Sequence, residues 1–333
     1  MPSVVENQSA HPRISVVVAA YRGEQHIAEQ LTSLLEQTRR PDEILVGDDS
    51  PDDLTEQVVA SVAASPSGVV RYLRNEPRRG ISGNFLHLAE VATGDLIFFS
   101  DQDDCWLPQK IARLVQVMAE HPEIEVAGCN SQVVDGNLKP VEKHLYGHLP
   151  AGLVEQIAQS PHFPDLVWPR FAIYGHNICM RSSFLPIFQK MPLNAGVGHD
   201  IWLTQTAALL GKMLFVNEPF TLYRIHGDNS SALTMETLNE SFLHRLKDTF
   251  KSHDDLAATM ANLDALHDFA QSADAIAPEN KQALERSWRY FHARLALRRF
   301  PRPFRFLRLT PALVRDYWHL GTGWRSLLRD QIL

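Results

Sequence analysis

Cysteine is scarce in this chain. Cys105, Cys129 and Cys179 are the only three in 333 residues. They stand far apart, are odd in number and lack metal-ligand spacing. That excludes a disulfide framework and a zinc knuckle, and predicts reduced thiols in a reducing compartment. No uninterrupted apolar run approaches the roughly 18 residues that a membrane span requires. The first thirteen residues are polar and lack the apolar centre of a secretory signal. Repeats and low-complexity tracts are missing too. These absences leave a cytoplasmic globular protein as the expectation, and 44% hydrophobic with 21% charged residues agrees with it. The length suffices for one large domain or two.

Charge is unevenly spread. Residues 281–333 hold twelve Lys/Arg and three Asp/Glu, a net +9, so the rest of the chain carries −16 of the overall −7. A basic segment on an acidic body points to an anionic membrane surface or a nucleic acid as partner.

The first half alternates strand and helix patterns. Residues 14–20 (ISVVVAA) form a continuous apolar run of the kind buried on both faces of a sheet. Ile27, Leu31, Leu34 and Leu35 follow with helical spacing. Strands are predicted at 43–47, 69–73, 95–100 and 124–134. Helices are predicted around Leu54–Val62, Phe85–Ala92 and 108–120. Such β-α alternation argues for an α/β fold, a mostly parallel sheet flanked by helices. Residues 135–170 show no clear period and read as an irregular loop over the rim. Patterning resumes with 176–181, a helix at 201–210, and two strands at 212–217 and 220–226. Beyond about 235 only helical patterns occur. The expected division is therefore a domain over 1–232 and a helical, basic extension over 233–333.

In open parallel sheets ligands bind beyond the carboxyl ends of the strands. Tyr21, Asp48 with Asp49, and Asp101 with Asp103 all fall at such ends. The densest feature is Asp101-Gln102-Asp103-Asp104, directly after the apolar run 95–100. Three carboxylates within four positions repel one another. They suit either a divalent cation that a phosphorylated ligand completes or an acidic turn with Asp104 capping the next helix.

Six stretches in order resemble the inverting family-two glycosyltransferases of the GT-A fold, and within them the bacterial rhamnosyltransferase-like branch. They are Ala20-Tyr21-Arg22-Gly23-Glu24, Gly47-Asp48-Asp49-Ser50, Arg79-Gly80-Ile81-Ser82-Gly83-Asn84-Phe85, the run from Ser100 to Lys110, Gly198-His199-Asp200-Ile201-Trp202-Leu203, and Tyr223-Arg224-Ile225-His226-Gly227-Asp228-Asn229. The resemblance covers roughly 13–232 and leaves the last hundred residues out. It implies transfer of a sugar from a nucleotide-diphosphate donor to an acceptor hydroxyl, on a glycan or lipid-linked acceptor in bacterial surface polysaccharide synthesis. Rhamnose on thymidine diphosphate comes first, then a hexose or N-acetylhexosamine on uridine diphosphate.

By the same resemblance Mn²⁺ or Mg²⁺ serves as Lewis acid on the leaving diphosphate. Asp103 is the expected direct ligand and Asp101 holds ribose or a second-layer water. His226 is either a further ligand or a loop histidine after a strand. Tyr21 is placed near the base or packs on the rim. Asp49 or Asp48 accepts from a pyrimidine N–H or caps the helix before Leu54. Arg78 and Arg79 reach phosphates or stay solvated. Asp200 occupies the position of the base that takes the acceptor proton, and also suits an N-cap for 201–210. His199 is expected beside the acceptor. Trp106 and Trp202 form a wall for a sugar face or pack in the core.

Rival readings fit less well. A haloacid-dehalogenase phosphatase carries its Asp-x-Asp near the start of the domain, not at the fourth strand. A sugar nucleotidyltransferase needs a glycine-rich basic loop after the first strand, and Tyr21-Arg22-Gly23-Glu24 is not one. A non-catalytic sugar- or membrane-binding protein would leave Asp101, Asp103 and Asp200 without purpose. In the tail, Arg294, Arg298, Arg299, Arg302, Arg305 and Arg308 alternate with Leu and Phe, broken by Pro301 and Pro303. This pattern suits either peripheral contact with the anionic inner face of the membrane or a helical appendage with solvated arginines. A nucleic acid is not the expected partner.

Overall fold

The computed structural model describes residues 11–64, 68–146, 152–158, 171–226, 256–320 and 324–332. A nine-stranded sheet organises them. Its strands are β1 (Ile14–Ala20), β2 (Glu43–Asp48), β3 (Val70–Arg74), β4 (Leu96–Asp101), β5 (Cys105–Trp106), β6 (Val126–Val134), β7 (Pro140–His144), β8 (Ile178–Arg181) and β9 (Met213–Arg224). The order is β3-β2-β1-β4-β8-β6-β9-β5, with β7 paired to β6. The run β3-β2-β1-β4 is parallel. β8 is antiparallel to both β4 and β6, and β9 is parallel to β6. Hence β6 and β9 point the same way as the first four, and the sheet is mostly parallel, as expected.

The apolar strand runs are buried on both faces. Ile14, Val16 and Val18 of β1 join one core with Ile27, Leu31 and Leu34 of the helix Ile27–Leu35 and with Ile111 and Leu114 of the helix Lys110–Glu120. Val17, between them, points into the other core with Phe85 and Leu88 of the helix Gly80–Val91. β4 divides in the same way, Leu96 and Phe98 on one side, Ile97 and Phe99 on the other. The period of two thus explains why consecutive residues of such a strand are apolar.

Two expectations need correction. The two strands predicted at 212–217 and 220–226 are one strand, β9, whose register on β6 shifts around Glu218-Pro219. Pro219 has no N–H for the ladder, and a bulge absorbs it without ending the strand. The region 135–170 is not wholly irregular. It contains β7, closed on β6 by a turn in which Asp135 accepts from the N–H groups of Asn137 and Lys139, and the short helix Leu153–Ala158. Leu145 and Tyr146 then enter the core, while residues 147–151 and 159–170 lie outside the described residues, as do Gly227-Asp228-Asn229 and the expected boundary near 232.

The C-terminal helices Leu256–Ser272, Pro278–Arg299, Pro311–His319 and Trp324–Ile332 build on the second core. Phe269 meets Trp202 edge-on at 5.7 Å, and Asn280 donates to the carbonyl of Leu209 at 2.9 Å. Among the described residues no helix is long and apolar enough to cross a membrane.

The basic tail is only partly a solvated surface. Asp330 is fully buried and accepts from Arg294 Nε, Arg298 Nε and the Tyr317 hydroxyl, each at 2.6 Å. Arg305, also buried, donates to the carbonyls of Phe300, Arg298 and Asp330. Three of the six alternating arginines therefore hold the extension together from inside. Removing the carboxylate strands two guanidinium groups, so Asp330→Ala is expected to cost about 3–5 kcal/mol in urea unfolding, whereas exposed Arg299→Ala should stay within about 0.5 kcal/mol.

Glu43, at the head of β2, accepts from Ser15 Oγ and from the N–H and hydroxyl of Thr93. Burial alone would raise its pKa, but these donors outweigh it and the carboxyl sits below its ordinary value. Its contribution to stability is present above the normal glutamate range and is lost as pH falls through the depressed value. Glu43→Gln should flatten the acid arm of the stability–pH curve.

Candidate active site

The sheet brings three strand ends together. Ala20 pairs with Asp48, and Ala19 with Asp101. The residues that follow therefore emerge side by side on one rim. Beyond it lies a cavity of about 520 Å³, lined by Tyr21, Asp49, Arg78, Ser82, Asn84, Asp101, Gln102, Asp103, Tyr174, His176, His199, Asp200 and Tyr223 among others.

Gln102 straps the rim. Its Oε1 accepts from the N–H of Tyr21 at 2.8 Å and its Nε2 donates to the Tyr21 carbonyl at 3.0 Å. Gly23 makes room for this, since a Cβ there would lie 2.3 Å from Gln102 Oε1. Arg22 N–H donates to Ser50 Oγ and Gly23 N–H to Thr55 Oγ1, which ties the loop after β1 to the loop after β2.

Asp48 and Asp49 divide the work. Asp48 is 1% exposed and turns into the fold, where it accepts from Ser50 N–H and Oγ and from the Tyr72 hydroxyl. Asp49 faces the cavity and accepts from Asn75 Nδ2, Arg79 N–H and Gly80 N–H. The last two belong to the start of the helix Gly80–Val91, whose dipole favours an anion there. Neither carboxylate caps the helix Leu54–Ala63, where Asp53 holds the cap position. Arg79 does not reach the cavity; its Nε donates to Asn75 Oδ1 at 3.0 Å. Arg78 does, with its guanidinium 4.0 Å above the Tyr21 ring and its Nε 3.9 Å from Asp49.

The acidic run separates into three environments. Asp101 lines the cavity. Asp103 lines it as well, and its Oδ2 meets His226 Nε2 at 2.9 Å. Asp104 is fully buried and does not cap the following helix, where Gln109 stands at the cap. Its Oδ1 accepts from Arg224 N–H, while its Oδ2 has no hydrogen-bond donor among the described residues. His176 Nδ1 lies 3.5 Å from both Asp101 and Asp104. Burial, reinforced by Asp103 and Asp101, pushes the Asp104 carboxyl up to about 7 against the pull of His176. Burial works against the charged form of His176, yet the two carboxylates outweigh it and raise the imidazole. Lys110 is buried beneath, donating to the His176 carbonyl and to Thr221 Oγ1, and burial lowers its pKa to about 8.

Asp200 lies within the first turn of the helix His199–Leu209, not at its cap, which is Gly198. Its Oδ1 accepts from Ile201 N–H, and the side chain lines the cavity. His199 lines it too, packed 4.3 Å from the Phe85 ring, with burial lowering its pKa. The two tryptophans are elsewhere. Trp106 is 3% exposed and lies under the Lys110 ammonium, 3.6 Å from its ring. Trp202 is 2% exposed, and its indole N–H donates to the Ile187 carbonyl. Neither offers a face to a sugar. Sequence reasoning gave no role to Tyr174, His176, Tyr223 or Gln102, although Tyr223 and Gln102 stand inside stretches already singled out.

The family model for Glycosyl transferase family 2 matches residues 15–179, which take in β1 through β4 and the acidic run. The chain belongs to glycosyltransferase family 2. An uncharacterized glycosyltransferase of Nostoc sp. is 25% identical over 225 residues, 66% of this chain and 66% of the relative. An Escherichia coli relative, UDP-Glc:alpha-D-GlcNAc-diphosphoundecaprenol beta-1,3-glucosyltransferase WfgD, is 28% identical over 124 residues, 37% of this chain and 47% of its own. The chain thus spans between about half and two thirds of the length of these curated relatives. In fold it is similar to the mannosyltransferase PcManGT of Pyrobaculum calidifontis, solved in complex with GDP-Man and Mn²⁺, with a TM-score of 0.56, 18% identity, 96% of this chain and 79% of that one covered. These likenesses place this family-two member in the GT-A fold.

Two neighbouring donor sets suit a divalent cation. Asp103 and His226 already face each other, and the ligand atoms of Asp101, Asp104 and His176 lie within 4.8 Å of one another. Carboxylate oxygens with one imidazole fit Mn²⁺ or Mg²⁺ better than a thiolate-seeking ion. The unsatisfied Asp104 Oδ2 is the group whose burial such a positive charge would ease.

The rim clamp gives a direct test. Gly23→Ala should cost about 1–3 kcal/mol in urea unfolding, because the methyl group displaces the Gln102 amide from both of its bonds. Combined with Gln102→Ala, the same substitution should cost clearly less than the sum of the two single changes.

Proposed function

We propose that this family-two member is an inverting glycosyltransferase that moves a sugar from a nucleotide-diphosphate donor to an acceptor hydroxyl. One observation carries this reading: Asp49 from the end of β2, Asp101 and Asp103 from the end of β4, and Asp200 from the helix His199–Leu209 line a single cavity. Two rims of that cavity differ in chemistry. Tyr21, Asp49 and Arg78 offer an aromatic face, an acceptor for a base N–H and a cation, which suits a nucleoside diphosphate. Asp200 and His199 lie on the helix His199–Leu209 and suit the acceptor.

In the proposed reaction Asp200 accepts the proton of the acceptor hydroxyl as its oxygen bonds to the anomeric carbon. The bond from that carbon to the diphosphate oxygen breaks on the opposite face, and the leaving group departs with the electron pair. Asp103, with His226 and Asp101, would hold a divalent cation, which when bound would supply positive charge to make the diphosphate a better leaving group. Asp49 is aimed by its bonds to Asn75 and to the helix start, so it can receive a donor from the base without moving. With Trp106 and Trp202 in the core, Tyr174 is a partly exposed aromatic ring on the cavity wall that suits a sugar face.

Rhamnose from a thymidine-diphosphate donor is the specific reading that the sequence stretches favour, with a hexose on uridine diphosphate next. The WfgD relative is named for a glucosyl donor and a diphosphoundecaprenol-linked acceptor. That supports a glycan or lipid-linked acceptor in surface polysaccharide synthesis for this chain as well. A panel of nucleotide sugars with and without Mn²⁺ should reveal one donor that raises the melting temperature by mass action and releases its nucleotide on turnover. Asp200→Asn is expected to lower kcat by about 10²–10⁴-fold while donor stabilisation persists. Asp103→Ala should abolish the metal-dependent part of donor stabilisation with its own unfolding midpoint near wild type. Full turnover by Asp200→Asn, or no response to any nucleotide sugar, would overturn the proposal.

A further inference from the structure

The inward arginines of the extension leave a second set facing out. The short 3-10 helix Arg302–Arg308 exposes Phe304 (53%), Phe306 (60%) and Leu307 (66%), among the most exposed large apolar side chains described. Arg299, Arg302, Arg308 and Arg315 are exposed around them in sequence, with Arg308 stacked 4.8 Å from the Phe300 ring. The next helix adds exposed Trp318. Between Leu295 and Leu320 the only acid is Asp316, and it is turned to Arg286 at 3.1 Å.

We infer that this segment is an insertion wedge for an anionic lipid bilayer, with Phe304, Phe306 and Leu307 entering the interface and Arg299, Arg302 and Arg308 meeting lipid phosphates. Three observations converge. Large apolar side chains in water cost free energy unless something covers them. Their sequence neighbours are cationic, with Asp316 the only acid between Leu295 and Leu320, which is complementary to an anionic surface. The wedge is also held rigidly, because Arg305 at its centre is buried on three carbonyls and Arg294 and Arg298 anchor the preceding helix to Asp330. A pre-ordered apolar tip loses little entropy on insertion. The remainder of the chain carries −16, so an anionic surface repels the body and orients the protein tail-first. A nucleic acid would gain from the arginines but not from Leu307, whose aliphatic end has no base to stack on or hydrogen bond to make.

The test needs no turnover, so its outcome is independent of the proposed transferase activity. The full chain is sedimented with phosphatidylcholine vesicles and with equimolar phosphatidylcholine–phosphatidylglycerol vesicles, in low and high salt. Retention on the anionic vesicles alone, released by salt, is expected. The variant Phe304→Ser/Phe306→Ser/Leu307→Ser alters exposed side chains only, so its unfolding midpoint should match wild type, while vesicle affinity falls about tenfold or more. Each of Arg302→Ala and Arg308→Ala should weaken binding about fivefold. Phe306→Trp should show a blue-shifted emission that a lipid-borne quencher reduces. Equal retention on both vesicles, retention on neither, undiminished binding by the triple serine variant, or tighter binding to single-stranded RNA than to anionic vesicles would each overturn the inference.

Discussion

Asp101, Asp103 and Asp104 can share one turn only because cationic and hydrogen-bond-donating groups surround it. Arg224 is the centre of that arrangement: its N–H donates to Asp104, its Nε to the Asp103 carbonyl, and its Nη2 pairs with Glu29 at 2.6 Å. His176 stands between Asp101 and Asp104, and Lys110 supports His176 from below. Without these groups, mutual repulsion and burial would neutralise the run or unfold the turn. With them, Asp101 and Asp103 stay at the cavity while Asp104 serves as the inner post.

That arrangement links distant parts of the chain. Arg224 ends β9, His176 precedes β8, Lys110 opens a helix and Glu29 lies on another. These four residues come from four different parts of the fold and reach the acidic turn directly or through one another, so the turn depends on the closure of the whole rim. The same logic governs the second strand end, where Asp49 fastens Asn75 and the start of the helix Gly80–Val91. A carboxylate used in this way is both a fold constraint and a candidate ligand group. Substituting it tests both, which is why binding and unfolding have to be read on the same variant.

The frame was legible in the sequence because strands buried on both faces leave an unmistakable apolar run, as at 14–20 and 95–100. Convergence of the strand ends then follows from a parallel sheet. What the sequence could not separate was neighbours at one strand end. Asp48 and Asp49 are chemically identical, and only the turn after β2 decides which of them faces inward. Trp106 beside Lys110 reads equally as a sugar platform or a buried cation–π pair until the helix Lys110–Glu120 is placed. Asp200 and the helix cap differ by two residues, within the ordinary uncertainty of a helix start. Asp330 lies 25 to 36 residues from the arginines it binds, beyond the reach of any local pattern.

The extension shows the same division between inward and outward use of one residue type. A pattern of Arg with Leu and Phe has two solutions, and this chain uses both. Arg294, Arg298 and Arg305 face a carboxylate or carbonyl oxygens, which offsets the cost of burying a guanidinium. Arg299, Arg302 and Arg308 remain at the surface with Phe304, Phe306 and Leu307. The inward set makes the outward set rigid. The same helices share a core with Trp202 and the helix that carries Asp200. The distance between surface contact and chemistry is bridged by one continuous core, not by a flexible linker within the described residues.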